Sequence, residues 1–150
     1  MTIDEVIAFV RAQTLGVVST VGPDKQPQAA VVGVAVTDRC EFVFDSVETS
    51  RKIRNLRADP HIAVTAGGSM QDERTVQCDG IADEPTGAEL ERIRNAYFAR
   101  YPDGRDRLSW PGITHVRVTP RWLRFSDYNQ TPPLIVEWAI DGAGNRSILT

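Results

Sequence analysis

Long apolar runs are missing from this chain of 150 residues. No apolar stretch is long enough to cross a bilayer, so no membrane association is predicted. Residues 1–5 read MTIDE and lack the basic-then-apolar order of a signal peptide. The sequence therefore predicts a cytoplasmic protein with a single domain over residues 1–150, since this length suffices for one core.

Paired cysteines and clustered histidines are also missing. Cys40 and Cys78 form no C-x-x-C pair, and a reducing compartment would keep both as thiols. His61 and His115 stand alone in the sequence, whereas a zinc site needs several ligands at close spacing. We therefore predict two unreactive thiols and no metal site.

Basic residues are too few overall for a general nucleic-acid-binding protein. The formal net charge is −3, whereas such proteins usually carry a basic excess. Positive charge is concentrated in one place, because Arg51, Lys52, Arg54 and Arg57 fall close together with no acid among them. This pattern favours a small anionic ligand and predicts no nucleic-acid partner.

The basic stretch is predicted to begin a helix. It lies between apolar strands at residues 41–46 and 61–65, hydroxyl residues precede it, and Pro60 fixes its end near Ala58. A helix N-terminus presents unpaired N–H groups and favours anions. The alternative is a solvated basic face. The central hypothesis is that four residues bind the phosphate of a cofactor: Thr49, Ser50, Arg51 and Lys52.

The remaining pattern predicts an antiparallel barrel with added helices. A capping box at Thr2 predicts a first helix to about Ala12, and the same pattern at Thr86 predicts a third helix. Short turns separate the apolar runs, so neighbouring strands pair antiparallel. About seven strands and three helices result. The polar tail from Asp141 is expected to fray.

The second predicted strand, residues 28–37, is apolar on both faces. Both faces should therefore be covered. Gly33 in its middle marks either a kink in the barrel or the close approach of another body, and a flat ring could lie against it. The sequence leaves these two interpretations open.

The order of these segments resembles the flavin-binding split barrels related to pyridoxamine 5′-phosphate oxidase. The matching segments are LGVVST at 15–20, Pro27, FVF at 42–44, TSRK at 49–52, NL at 55–56, DPHIAV at 59–64, residues 76–82 and WLRFSDY at 122–128. The resemblance implies a mainly β fold, an antiparallel split β-barrel of about six to seven strands with peripheral helices. It also implies a homodimer with FMN at the subunit interface.

The resemblance further implies which residues contact the cofactor. The implied contacts are Val31, Val32, Gly33 and Val34 for the ring, Thr49, Ser50, Arg51 and Lys52 for the phosphate, and Thr75. Partner-chain residues near Trp110 or Trp122 would complete the pocket. No catalytic residue is named, because a flavin itself carries the redox chemistry. Glu41 and Asp45 lie near the proposed site and are expected to be solvated.

Two departures separate the chain from the oxidase itself. Its second strand has Ala29, Ala30 and Gly33 where the oxidase has basic residues. Residues 125–129 read FSDYN, where the oxidase has an Arg/His-rich segment that holds the substrate phosphate. The resemblance therefore points to an FMN-dependent oxidoreductase acting on an unidentified small molecule, and away from oxidation of pyridoxamine phosphate.

Other functions remain open on the same fold. One is an F420-dependent reductase, because Arg54, Arg57 and Arg74 could meet the acidic tail of that deazaflavin. Another is a flavin-binding stress protein without turnover. A haem-binding protein has the least support, because it would depend on His61 or His115.

Overall fold

A computed structural model describes residues 1–149 as a strongly curved sheet with helices packed on it. The helices are α1 (Ile3–Ala12), α2 (Arg51–Ala58) and α3 (Gly87–Arg100), with 3-10 segments at Pro23–Lys25 and Pro102–Ser109. The strands are β1 (Gly16–Val21), β2 (Pro27–Val32), β3 (Ala35–Val36), β4 (Phe42–Val47), β5 (His61–Gly67), β6 (Arg74–Asp83), β7 (Ile113–Asp127), β8 (Leu134–Ile140) and β9 (Arg146–Ile148). No helix in residues 1–149 is both long and apolar enough to cross a lipid bilayer.

The strands pair antiparallel in the order β2-β1-β5-β6-β7-β4-β3, and β8 and β9 extend from β7. β2 and β3 are consecutive in the chain but lie at opposite ends of this path. The two residues between them, Gly33 and Val34, therefore bring the two ends together, and the sheet curls into a barrel. The predicted mainly β, antiparallel split barrel with peripheral helices is confirmed.

The predicted single strand at residues 28–37 is wrong, because the chain bends at Gly33. A Cβ atom at Gly33 would lie 2.9 Å from Cζ of Tyr101. The Tyr101 hydroxyl accepts a hydrogen bond from the Val34 N–H (2.9 Å) and donates one to the Thr14 carbonyl (2.8 Å). Of the two interpretations of Gly33, the structure therefore supports the kink. The ring that lies against Gly33 is that of Tyr101 in the same chain.

Helix α1 closes one end of the barrel. The predicted capping box is present, since the Thr2 N–H donates to the Glu5 carboxylate (2.6 Å) and the Glu5 N–H donates to Thr2 Oγ1 (3.2 Å). Phe9 packs edge-on against Phe125 of β7, with ring centroids 5.6 Å apart. The buried residues of α1 are Ile3, Val6, Ile7, Phe9 and Val10. This apolar stripe joins the main core, which supplies much of the favourable burial free energy.

Within a single chain, only one of the two faces of the second strand that were predicted to be covered is covered. Exposed and half-buried residues alternate along β2, and Val31 is 66% exposed. Register places Val31 beside Val17 of β1 and Ala29 beside Ser19, on the face that points away from the barrel interior. The outer face of β1, β2, β5 and β6 is therefore open to solvent in the single chain.

Three further predictions can be compared with the structure. Thr86 precedes α3, but its side chain makes no capping hydrogen bond, so the second capping box is wrong. The tail does not simply fray, because residues Arg146–Ile148 form β9 on β8. Register shifts between Asp79 and Gly80, which marks a β-bulge in β6. The split of the second predicted strand into β2 and β3 and the addition of β9 raise the number of strands in residues 1–149 from the predicted seven or so to nine.

Candidate cofactor site

The start of α2 is fixed by local hydrogen bonds and by packing. Ser50 is the N-cap, and its Oγ accepts a hydrogen bond from the Ile53 N–H at 3.4 Å. The same hydroxyl lies 2.9 Å from Ser46 Oγ at the end of β4. Ile53 and Leu56 are buried against the core. The helix is therefore anchored at its first turn, and Arg51 and Lys52 occupy that turn.

The basic residues of α2 differ in whether an acid neutralises them. Arg57 donates to both carboxylate oxygens of Glu84, each at 2.9 Å, so its charge is paired. No ion pair in residues 1–149 involves Arg51, Lys52 or Arg54. The positive charge that remains uncompensated is therefore concentrated near the N-terminal end of the helix, where the helix dipole has the same sign.

A cleft of about 440 Å³ opens between this helix end and strands β1 and β2. Its lining residues are Val18, Thr20, Gln26, Pro27, Gln28, Ala29, Ala30, Arg51 and Lys52. None of them is acidic, and the only charged members are Arg51 and Lys52. The cleft therefore combines two cations, several neutral polar groups and a small apolar floor.

These donors fit the phosphate of a flavin cofactor. A guanidinium can bind phosphate through two parallel N–H groups, and an ammonium adds a compact charge beside it. The apolar floor from Val18 and Ala30 suits the less polar part of such a molecule. The predicted roles of Arg51 and Lys52 are compatible with this geometry.

A buried amide behind the cleft was not predicted. Asn55 is only 5% exposed, and its side-chain amide lies 3.0 Å from Thr20 Oγ1 and 2.7 Å from the Gln28 amide. Helical spacing places Asn55 on the same side of α2 as Arg51, and the sequence left open whether that side binds an anion or faces solvent. The β1–β2 hairpin packs there instead. A polar residue one turn after a binding residue was the available signal.

The predicted ring contacts at the end of β2 and in the link to β3 are not all accessible. Val31 is exposed on the outer face, and Val32 is half-buried against the core. Gly33 is covered by Tyr101. Val34 is 3% exposed, and its N–H already donates to Tyr101. The cleft is lined instead by Gln26 and the first part of β2, residues 27–30, which lie just before the predicted set.

The other predicted contacts are placed at different distances from the cleft. Thr49 precedes the N-cap and is exposed at the helix start. Thr75 lies in β6, paired with Gly67 and Ser126. Trp122 lies in β7, opposite Asp79, on the outer face of the sheet. Within one chain, neither Thr75 nor Trp122 lines the cleft.

The expectation that Glu41 and Asp45 are solvated near the site is wrong. Arg92 donates to both oxygens of Glu41, at 2.8 and 2.9 Å. Burial, the largest single influence, would raise the pKa of Glu41, but the hydrogen bonds from Arg92 and Thr37 and the nearby arginine charges together hold that pKa below its ordinary value. Asp45 accepts from Arg107 (2.7 Å) and from the Tyr97 hydroxyl (3.0 Å). Both carboxylates tie β4 to neighbouring structure, so neither is free for proton transfer.

The cysteines and histidines have structural surroundings. Cys40 and Cys78 are buried free thiols, and burial raises the pKa of Cys40 to about 11, so it resists forming a thiolate. His115 is buried, whereas His61 is exposed and its Nδ1 lies 2.6 Å from Asp59. In residues 1–149, no three His, Cys, Asp or Glu side chains are grouped as metal ligands.

Comparison with known proteins agrees with the fold. Residues 2–127 match the family described as pyridoxamine 5′-phosphate oxidase. The chain belongs to this family. A pyridoxine/pyridoxamine 5′-phosphate oxidase of Burkholderia multivorans is 32% identical over 127 residues, which cover 80% of this chain. The match spans only 57% of that relative's length.

Solved structures with a similar fold include an FMN-binding protein and a haem-binding protein. A pyridoxamine 5′-phosphate oxidase-related, FMN-binding protein of Nostoc punctiforme superposes with a TM-score of 0.75, covering 97% of this chain and 95% of its own, at 11% identity. A haem-binding protein of Mycobacterium smegmatis gives the same TM-score of 0.75 over 89% of this chain and 58% of its own, at 18% identity. At these identities the likeness shows the fold alone.

Proposed function

We propose that this member of the pyridoxamine 5′-phosphate oxidase family is an FMN-binding oxidoreductase that acts on a small molecule. The observation that carries the proposal is the acid-free cleft at the start of α2, with Arg51 and Lys52 as its only charged residues. A dianionic phosphate matches this pair in charge. The family membership of the chain supports a flavin as the molecule that carries this phosphate.

In this proposal the chain supplies binding and orientation. FMN, when bound, supplies the hydride and electron transfer. Arg51 and Lys52 hold the phosphate, and Gln28 contacts the guanidinium of Arg51. With the phosphate fixed at the helix start, the strand residues 26–30 determine how the rest of the cofactor lies. The site needs no nucleophile or metal for this task.

We propose that the functional form is a homodimer. The outer face of β1, β2, β5 and β6 carries apolar side chains that no other part of residues 1–149 covers. An open groove of about 550 Å³ on this face is bordered by Val21, Pro27, Ile62, Ala63 and Ile81 among others. A second subunit seated here would cover Val31 and the groove together. Thr75 and Trp122, which lie away from the cleft of their own chain, would then be available to the neighbouring site.

An F420-dependent reductase is the second candidate, and the charges favour it less. The acidic tail of F420 would need free basic residues beyond the phosphate site. Arg57 is paired with Glu84, and Arg74 donates to both oxygens of Asp72 at 2.8 and 2.6 Å. Only Arg54 remains of the three arginines considered for that role.

The visible absorption spectrum of the purified protein, alone and after addition of FMN or F420, tests the choice of cofactor. FMN binding predicts a flavin spectrum with saturable binding, and haem would give a distinct Soret band. A colourless protein that takes up neither added flavin would overturn the proposal. Oxidation of NADH or NADPH by the FMN-loaded protein would then separate an enzyme from a carrier without turnover.

Substitution tests the location of the phosphate. The double variant Arg51→Ala/Lys52→Ala should bind FMN about 100-fold more weakly or worse, since each charge-assisted hydrogen bond contributes about 1.5–3 kcal/mol. Arg54→Ala is the matched control, because it removes an unpaired arginine from the same helix without changing the cleft. Its FMN affinity should stay within about threefold of the parent. A folded double variant with unchanged affinity would place the phosphate elsewhere.

A further inference from the structure

A continuous set of polar contacts runs from the barrel interior to the mouth of the cleft. Thr20 in β1 is 2% exposed and contacts the buried amide of Asn55 in α2. Asn55 contacts Gln28 in β2. The Gln28 amide in turn reaches the guanidinium of Arg51, with one of its atoms 2.6 Å from Nη1. Three elements of the fold are thus joined by side chains that end at a cleft cation.

The positions of hydrogen-bond donors and acceptors determine how the side-chain amides of Asn55 and Gln28 are oriented. If the Asn55 NH₂ group donates to Thr20 and to the Gln28 oxygen, the Gln28 NH₂ group faces the Arg51 guanidinium, donor against donor. Turning over both amides removes this conflict. The Thr20 hydroxyl and the Gln28 NH₂ group then donate to the Asn55 oxygen, and the Gln28 oxygen accepts from Nε and Nη1 of Arg51. Only this orientation of the two amides leaves no donor facing another donor.

The position of Asn55 explains why it controls the geometry. Its side chain fills the space between α2 and the β1–β2 hairpin, and a Cβ at Gly22 would already lie 3.5 Å from its Oδ1. Arg51 has no carboxylate partner in residues 1–149, so the Gln28 oxygen is the group that restrains its long side chain. A restrained guanidinium loses less conformational entropy when an anion binds.

We propose that Asn55 is a positioning residue for the anion-binding cleft: it holds Gln28, and Gln28 holds the guanidinium of Arg51 at the cleft mouth. This inference depends on the proposed phosphate site and assigns a role to a residue that does not touch the ligand. Loss of Asn55 should weaken the binding of the phosphate group and spare the rest of the cofactor.

The test compares FMN with riboflavin, which lacks the phosphate, by quenching of flavin fluorescence. Asn55→Ala and Arg51→Ala should each lower FMN affinity about tenfold, while riboflavin affinity changes less than about twofold. Because both act through the same guanidinium, the double variant Asn55→Ala/Arg51→Ala should bind FMN as Arg51→Ala does. Independent losses that multiply in the double variant would overturn the proposal.

Controls separate positioning from lost stability. Leu56→Ala removes a neighbouring buried side chain of α2 that does not contact Gln28, and its FMN affinity should match the parent when measured well below its unfolding midpoint. An equal loss in Leu56→Ala would overturn the proposal. If Asn55→Ala does not fold, Gln28→Ala, a half-buried surface change, breaks the same connection and enters the same cycle with Arg51→Ala.

The outcomes distinguish this inference from the proposed function. If Arg51→Ala and Lys52→Ala both bind FMN as the parent does, the cleft is not the phosphate site, and the proposed location fails first. If those two variants lose affinity while Asn55→Ala keeps it, the phosphate site stands and the positioning role of Asn55 alone is wrong.

Discussion

Replacing Gly33 with alanine tests how the barrel is closed. The new Cβ would lie 2.9 Å from Cζ and 3.0 Å from Cε1 of Tyr101, so the ring must move. The ring is held by its hydroxyl, which bonds the Val34 N–H and the Thr14 carbonyl. Overpacking typically costs about 1–3 kcal/mol and each hydrogen bond about 1 kcal/mol, so Gly33→Ala should lower the free energy of unfolding by about 2–4 kcal/mol.

A double-mutant cycle isolates the cause of this loss. Gly33 does not have a positive φ, so alanine fits its backbone without strain. In a Tyr101→Ala background the collision is absent, and Gly33→Ala should be neutral or should stabilise by up to about 1 kcal/mol through the unfolded state. Urea denaturation of the four proteins measures the coupling. An equal penalty in both backgrounds would refute the reasoning.

The same variant separates the two sequence-based interpretations of Gly33. If Gly33 were small to admit a cofactor ring, Gly33→Ala would lower FMN affinity and leave the stability of the cofactor-free protein unchanged. The packing of Tyr101 predicts the opposite order of effects, with stability lost before any ligand is added. A variant with parental stability and lost FMN binding would restore the ring-contact interpretation.

Two further predictions concern pH and assembly. Burial lowers the pKa of His115 from 6.5 to about 4. As the pH falls between these values the unfolded chain takes up the proton first, so the free energy of unfolding should fall by up to about 3 kcal/mol. Urea denaturation of His115→Leu at several pH values should show a smaller loss, and an unchanged dependence of stability on pH would contradict the role of His115. Ile81→Glu on the outer face should convert the proposed dimer to a folded monomer in sedimentation experiments, and a dimer that persists would place the interface elsewhere.

The sequence predicts the parts of the fold that rest on local signals. The capping box at Thr2 and the start of α2 after Ser50 both follow from residue types with strong positional preferences. The same kind of signal failed at Thr86, where the pattern is present and the hydrogen bond is not. A capping sequence permits the bond, but the approach of the preceding loop decides whether it forms.

The errors in the second strand have a tertiary cause. The run from Ala29 to Val36 is uniformly apolar, so periodicity alone gives no sign of an interruption. The bend at Gly33 depends on Tyr101, which is contributed by the end of α3, far along the chain. The exposure of Val31 also could not be foreseen, because an uncovered apolar face looks like a buried one in the sequence.

The charged residues of the candidate site could be proposed from the sequence, whereas the residues that pack behind them could not. Arg51 and Lys52 stand out because they are cations without nearby acids in the sequence. Asn55 and Gln28 carry no such signal, since a single amide on a helix or strand is common at the surface. Glu41 was misjudged for the same reason, because its partner Arg92 lies in another element.

Strand β2, which forms one wall of the cleft, is paired with another strand along one edge only. Strand β2 pairs with β1 but has no strand on its other edge in residues 1–149, and its amide hydrogens should therefore exchange with solvent more readily than those of the central strands. A ligand that contacts both β2 and the start of α2 clamps this edge, and its binding free energy adds to the stability of the whole barrel. If FMN occupies the cleft as proposed, it would also be a structural component of the barrel, and the supply of FMN would influence how much of the protein stays folded.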